Sequence, residues 1–244
     1  SPATNWTGSN VPNGAGATGN FGSSITGAST VTLDGNKTVG ILNFNNANVY
    51  TIATGSGGKL IMNNGLSVAN LTDNSVPGNP ALAGQVIAAD VTLDSETLVT
   101  VVGGEKFAIN GVIDGANGLS KAGSGVLALG AANSYAGTTT LNAGTLGFVS
   151  GALSTGSLVA TGGTLQFATG NTEDISLGRV ITLAGPTAID TNGNDVSLLD
   201  PIGNSGVGGV IKTGSGTLSL GFGNTHTGAN TISEGVLSVL ADSS

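Results

Sequence analysis

His226 is the sole histidine of the chain. With Ser215 or Ser219 as nucleophile and a carboxylate behind it, it would supply the parts of a hydrolytic triad. It stands, however, where an internal repeat described below carries Tyr135, so it reads as a corner side chain in a place open to any planar group. One His and no Cys cannot build a His/Cys metal cluster. Paired carboxylates are the other chemistry on offer: Glu173 with Asp174, Asp190 with Asp195, and Asp90 with Asp94. Glycoside cleavage needs two carboxylates facing each other across a groove. The aromatics that would stack a sugar there, Trp6, Tyr50 and Tyr135, are scattered. Asp190-Thr191-Asn192-Gly193-Asn194-Asp195 is similar to the start of a calcium loop. The sixth position holds Asp195 in place of Gly, and no bidentate Glu follows at the twelfth, so Asx turns account for it better. Gly123-Ser124-Gly125 and Gly214-Ser215-Gly216 have the glycines of a phosphate loop without its GK[ST] or its helix. The expectation is no catalytic, cofactor-binding or metal site, and no enzyme.

The elements that would carry these residues are short strands. Gly reaches 43 residues, charged residues are 8%, and hydrophobic residues still make up 39%. That combination excludes a charge-rich disordered chain, and 6 Pro without a triplet period exclude collagen. Val, Ile and Thr favour strands, while Gly and Asn supply tight corners. No apolar run is long enough for a membrane-spanning helix. Six Lys and Arg against 14 Asp and Glu, a net charge of −8, cannot neutralise a phosphate backbone, so nucleic acid is not an expected partner. Nor is membrane insertion. The start at Ser1-Pro2-Ala3 without Met fits a mature product after signal cleavage and equally a boundary set within a longer chain.

A gapless internal repeat is the strongest signal. Residues 118–148 (GLSKAGSGVLALGAANSYAGTTTLNAGTLGF) align with 209–239 (GVIKTGSGTLSLGFGNTHTGANTISEGVLSV) at an offset of 91. Shared positions include Lys121/Lys212, Gly125/Gly216, Leu127/Leu218, Leu129/Leu220, Asn133/Asn224, Gly144/Gly235 and Leu146/Leu237. KxGSG reads as a turn. Leu127 and Leu129, like Leu218 and Leu220, alternate and so point to one face of a strand. Asn133 and Asn224 suit amide ladders between coils. A weaker echo, Val31-Thr32-Leu33-Asp34, returns at Val91-Thr92-Leu93-Asp94 and as Ile181-Thr182-Leu183. Strands this short with corners this frequent suit stacked coils, and 91 residues divide into about four coils of some 23. Residues 1–30 read as an irregular N-terminal cap or assembly segment, and 31–244 as the solenoid, interrupted by a Pro-rich loop at 73–80.

The two copies resemble the passenger-associated transport repeat, also called the autotransporter-associated β-strand repeat. Lys121-Ala122-Gly123-Ser124-Gly125-Val126-Leu127-Ala128-Leu129, Asn133-Ser134-Tyr135-Ala136-Gly137 and Asn142-Ala143-Gly144-Thr145-Leu146 carry the likeness. The second copy departs from it at His226 and Glu234. The resemblance implies an all-β fold, a right-handed parallel β-helix in one elongated domain, exported through a Gram-negative envelope to the cell surface or beyond. The C-terminal residues leave no room for a membrane barrel, which implies either a passenger fragment or a stand-alone secreted repeat protein.

The apolar, uncharged stretch Gly235–Leu240 reads as an uncapped coil end, and such ends invite another strand. The leading expectation is therefore an extracellular structural protein that associates with itself head to tail into a filament, fibre or surface layer. The alternatives are a passenger domain acting as adhesin or stalk, with cell-surface or extracellular glycan as a partner, and then a β-helical polysaccharide lyase or hydrolase.

Overall fold

The computed structural model describes residues 11–75 and 84–240. Within them the protein is all β, with 25 short strands, every ladder between them parallel, and no helix. The chain winds around three faces, and each strand pairs with its counterpart one coil away.

The first face stacks β1 (Thr18–Phe21), β4 (Ile41–Phe44), β7 (Ala69–Asp73), β10 (Thr97–Val101), β13 (Leu119–Ala122), β15 (Thr139–Leu141), β17 (Leu158–Ala160) and β19 (Ile181–Leu183). The second stacks β2 (Ser29–Leu33), β5 (Tyr50–Thr54), β8 (Gln85–Ile87), β11 (Lys106–Ile109), β14 (Val126–Leu129), β16 (Thr145–Phe148), β18 (Thr164–Phe167), β20 (Thr187–Asp190), β22 (Val210–Thr213) and β24 (Thr231–Ile232). Two ladders share the third face: β3 (Lys37–Val39), β6 (Leu60–Met62), β9 (Val91–Leu93) and β12 (Ile113–Gly115), then β21 (Val196–Leu198), β23 (Thr217–Leu220) and β25 (Val236–Val239). The 10-stranded second face sets the height at ten coils. At the ~4.8 Å spacing of paired strands this makes a rod of roughly 45 Å.

The core follows from period-two alternation. In β14 and β16 the pattern turns Leu127, Leu129, Leu146 and Phe148 inward, each at most 1% exposed, as the alternate Leu residues predict. Ladders of like residues run up the interior, such as Leu127–Leu146–Leu165 and Phe148–Phe167, whose rings sit 4.6 Å apart. Phe21, Phe44, Tyr50 and Phe107 form a second aromatic stack in the earlier coils.

The period of 91 is not a whole number of coils. Register carries Leu119 to Thr139, Leu158 and Ile181, and the bridge from Thr182 to Gly203 places the fourth coil's match at Ile202. The first strand of the second copy, β22, begins at Val210, already on the next face. Copy one thus runs first face (β13), second face (β14), irregular third-face segment, then β15 and β16. Copy two makes the same sequence of elements one face later, with β22 on the second face and β23 on the third. The weaker echo behaves likewise: Val31–Leu33, Val91–Leu93 and Ile181–Leu183 lie on the second, third and first faces. Coil length explains the difference from an even division into 23. One coil step spans 19 residues between Tyr135 and Ser154 and 35 between Tyr50 and Gln85.

Of the segment 1–30 read as irregular, residues 1–10 lie outside the described residues. The remainder already contains β1 and the start of β2, because Gly19 and Phe21 alternate inward. Asn13 and Gly14 bond the outer edge of β3, through Thr38 N–H to Asn13 Oδ1 at 2.9 Å and Gly14 N–H to Thr38 O at 2.7 Å. The Pro-rich part of the 73–80 loop falls outside the described residues from 76 on.

Candidate functional site

The repeat places one charged group where a core residue belongs. Lys121 follows Leu119 with strand alternation in β13, so its side chain points inward, and it is 1% exposed. Its Nζ turns at the corner and donates to the carbonyls of Ala122 (2.7 Å), Gly123 (2.8 Å) and, one coil on, Ala143 (3.1 Å). Lys212 in β22 does the same with Thr213 (2.7 Å), Gly214 (2.6 Å) and Glu234 (3.3 Å). The ammonium therefore ties two coils together at a corner where backbone carbonyls converge. The corner also explains the shared glycine. Gly144 and Gly235 adopt φ of +69° and +74°, and a Cβ there would sit 2.8 and 2.6 Å from the lysine Nζ. Burial pushes the Lys121 amine down to about 8. Burial lowers Lys212 too, while Asp190 and Glu234 pull it back upward. Reading KxGSG as a turn missed this role; the signal was the i, i+2 spacing of Leu119 and Lys121, repeated in Val210 and Lys212.

Tyr135 and His226 also share one geometry. Tyr135 OH lies 2.6 Å from Thr139 Oγ1, and His226 Nε2 donates to Asn230 Oδ1 at 2.8 Å, both four residues on. His226 is thus engaged with Asn230 and not with Ser215 or Ser219, as expected for a corner group.

Four of the six carboxylates that sequence marked as pairs are taken up singly by the backbone of a neighbouring coil. Asp90 accepts from Val112 N–H, Asp195 from Thr217 N–H, Asp174 from Leu199 N–H and Glu173 from Gly151 N–H, at 2.8–3.0 Å. Asp190 accepts from Asn192 N–H and from Gln166 Nε2. Each acceptor satisfies an amide that a corner would otherwise leave unpaired. Asp190 and Asp195 are bonded to different partners, and among the described residues no group of three or more His, Cys, Asp or Glu could hold a metal. Asn133 bridges three coils, taking Ile113 N–H on Oδ1 and giving Nδ2 to Ala152 O. Asn224 accepts Ile202 N–H but turns its Nδ2 to Gly221 in its own coil. These are amide-to-backbone rungs; an Asn–Asn rung occurs instead between Asn20 and Asn43 at 2.9 Å.

A hollow of about 30 Å³ at the first coil, lined by Val11, Pro12, Phe21, Leu33 and Leu42, is far below the several hundred Å³ of a small-molecule site. Seven of the aromatic rings, from Phe21 to Phe167, are buried, and Phe222 alone among the described Phe, Tyr and Trp is exposed. Of the six cations, two are buried clamps, Lys37 and Lys59 pair with Asp34 and Asp114, and Arg179 donates to Ser154 O. That leaves Lys106 exposed without an ion pair among the described residues, on a rod whose outward charge is otherwise acidic.

Residues 119–147 and 210–239 match the Passenger-associated-transport-repeat family, the same two segments whose strands enclose the buried lysines. This chain is a β-helix that carries two passenger-associated-transport repeats. The passenger-associated-transport repeats cover the lysine corner, the planar corner group and the Asn rung in both copies. Over 243 residues the chain is 31% identical to the protein named Adhesin BmaC autotransporter of Brucella suis biovar 1 (strain 1330), an alignment that takes in 90% of this chain and 7% of that protein. The chain therefore spans only a small part of the length of this relative. No solved structure matches it.

Proposed function

We propose that this chain is a stalk segment of an autotransporter-type passenger at the surface of a Gram-negative bacterium, holding an adhesive region away from the cell. The observation that carries the reading is the similarity to an autotransporter adhesin along nine-tenths of the chain. The coils fit the task. Among the described residues all the aromatics but Phe222 face inward, and Asp90 and Asp195 cap backbone amides of a neighbouring coil. The unbroken second-face ladder makes a stiff spacer, since each coil contacts its neighbours along it.

The test is attachment by the chain alone. Beads coated with the purified chain are expected to adhere to host cells and matrix no better than uncoated beads. Firm, saturable attachment would locate adhesion in these coils and overturn the stalk reading.

A second reading, head-to-tail self-association into a filament, draws on the exposed apolar residues of the last described coil, Ile232, Val236 and Val239. Against it, Asn13 and Gly14 already occupy the β3 edge on which the third face of another molecule would have to pair. Sedimentation over a concentration range separates the two: the stalk reading expects a single monomeric species, and a steadily growing polymer would favour the filament.

A further inference from the structure

We infer that Asn110 is a self-modifying residue, converted with Gly111 through a cyclic imide into aspartate and isoaspartate, and that this conversion opens the corner between β11 and β12. The reaction needs a side-chain amide free to turn and a following main-chain nitrogen free to attack it. It also needs little bulk on that next residue, so Asn-Gly pairs are its ordinary substrates. The chain has five such pairs, beginning at Asn13, Asn64, Asn110, Asn117 and Asn192. In four of them hydrogen bonds hold one or both reacting groups. Asn13 Oδ1 accepts Thr38 N–H, and Gly14 N–H donates to Thr38 O. Asn64 Nδ2 donates to Val68 O, and Gly65 N–H to Asn63 Oδ1. Asn117 Nδ2 donates to Leu93 O, Asn192 Nδ2 to Phe167 O, and Gly193 N–H to Ser215 O. Asn110 is exposed, and neither its side-chain amide nor the N–H of Gly111 has a hydrogen-bond partner among the described residues.

The reaction consumes only water. Gly111 N attacks Cγ of Asn110, the new N–Cγ bond replaces the bond from Cγ to Nδ2, and Nδ2 leaves as ammonia with the proton that Gly111 N gives up. Water then opens the imide. Attack at Cγ gives aspartate with the ordinary main chain. Attack at the main-chain carbonyl gives isoaspartate, whose main chain runs through Cγ and is one carbon longer. This corner has no room for that carbon. A Cβ on Gly111 would already lie 2.1 Å from Ala89 O. The flanking amides are committed: Asn110 N–H to Ile87 O (2.8 Å), Val112 N–H to Asp90 Oδ1 (2.9 Å) and Gly130 N–H to Ile109 O (2.8 Å). A longer main chain shifts Gly111 and Val112 out of that register, so the segment from Ile109 to Ile113 opens locally while the coils on either side stay stacked.

The whole chain is aged at mildly alkaline pH and mapped by peptide mass spectrometry, which separates acid from amide and, by retention, isoaspartate from aspartate. The folded chain is expected to convert Asn110 at least tenfold faster than any of the other four pairs. Chain kept unfolded in denaturant should convert all five at comparable rates. The aged folded chain should then gain a cleavage site for a broad-specificity protease between Ile109 and Ile113. Asn110→Gln, whose longer side chain cyclises far more slowly, should age without gaining it. Freshly prepared Asn110→Asp, which has the charge but the ordinary main chain, should resist cleavage. Another pair converting first, all five converting in parallel in the folded chain, the same preference for Asn110 in the unfolded chain, or an intact amide at Asn110 after the unfolded chain has fully reacted would overturn the assignment. Cleavage that does not track isoaspartate, or that fresh Asn110→Asp already shows, would overturn the opening of the corner. Adhesion plays no part in these measurements, so the bead assay tests the stalk separately.

Discussion

The two repeat copies share their corners but not their burial. Lys121 and Lys212 make matching carbonyl clamps, and Tyr135 and His226 reach the same i+4 position. Leu127 and Leu218, in the first coil of each copy, are both 0% exposed. The second coil of each copy diverges. Leu146 is 1% exposed, whereas Leu237 is only partly buried and its neighbour Val236 is 55% exposed. The difference lies in the neighbours, since β16 is sandwiched between β14 and β18 while β25 rests on β23 alone. A repeat of this kind fixes its own corner, and the coil above it supplies the burial.

Substitutions break that comparison in order of size. Leu127→Asp and Leu218→Asp each place a charge in the core of a coil covered on both sides, and both are expected to cost about 4 kcal/mol or more. Thermal unfolding of the two variants should fall together. A large gap between them would mean that even the first coil of copy two is not covered. Leu146→Ala and Leu237→Ala should then separate the copies. About 2–5 kcal/mol is expected for the fully buried Leu146, and under about 1 kcal/mol for Leu237, as measured by denaturant midpoints.

Lys121→Met and Lys212→Met remove the ammonium from three carbonyls and should cost about 1–3 kcal/mol each. Lys121 carries a pH signature as well. Its amine titrates near 8 in the folded chain and near 10.5 when unfolded, so between those values the unfolded state binds more protons and this group's contribution to stability rises with pH. That contribution is present above 10.5 and is lost as pH falls through about 8. The stability difference between the native chain and Lys121→Met should therefore shift in favour of the native chain from pH 8 to pH 10, and a flat difference would contradict the burial. The smallest effect is expected from His226→Tyr. The position lies in the less covered coil, so installing the side chain of copy one there should change stability by no more than about 0.5 kcal/mol.

The sequence revealed the repeat, the inward Leu positions and the corner identity of His226 because each depends on local alternation. It did not reveal the one-face phase shift between copies. An offset of 91 counts residues, and the irregular segments that separate strands set how many residues make a coil. Val31–Leu33 and Ile181–Leu183 show the consequence: nearly the same strand sequence serves on different faces, because every face presents the same interior. The fate of the carboxylates was hidden for the same reason. Asp90 and Asp195 look paired with their sequence neighbours until the coil length reveals backbone partners 22 residues away. Lys121 was legible from its spacing to Leu119 but was masked by the glycine-rich turn that follows it.

Hydrogen–deuterium exchange on the intact chain, resolved to peptides, tests most directly whether stacking supplies the burial. The amides of β13, β14, β15 and β16 should exchange only with global opening, β22 and β23 nearly as slowly, and β24 and β25 faster by orders of magnitude. Equal protection of β16 and β25 would contradict the account, because the last coil would then be covered by something other than the strands beneath it.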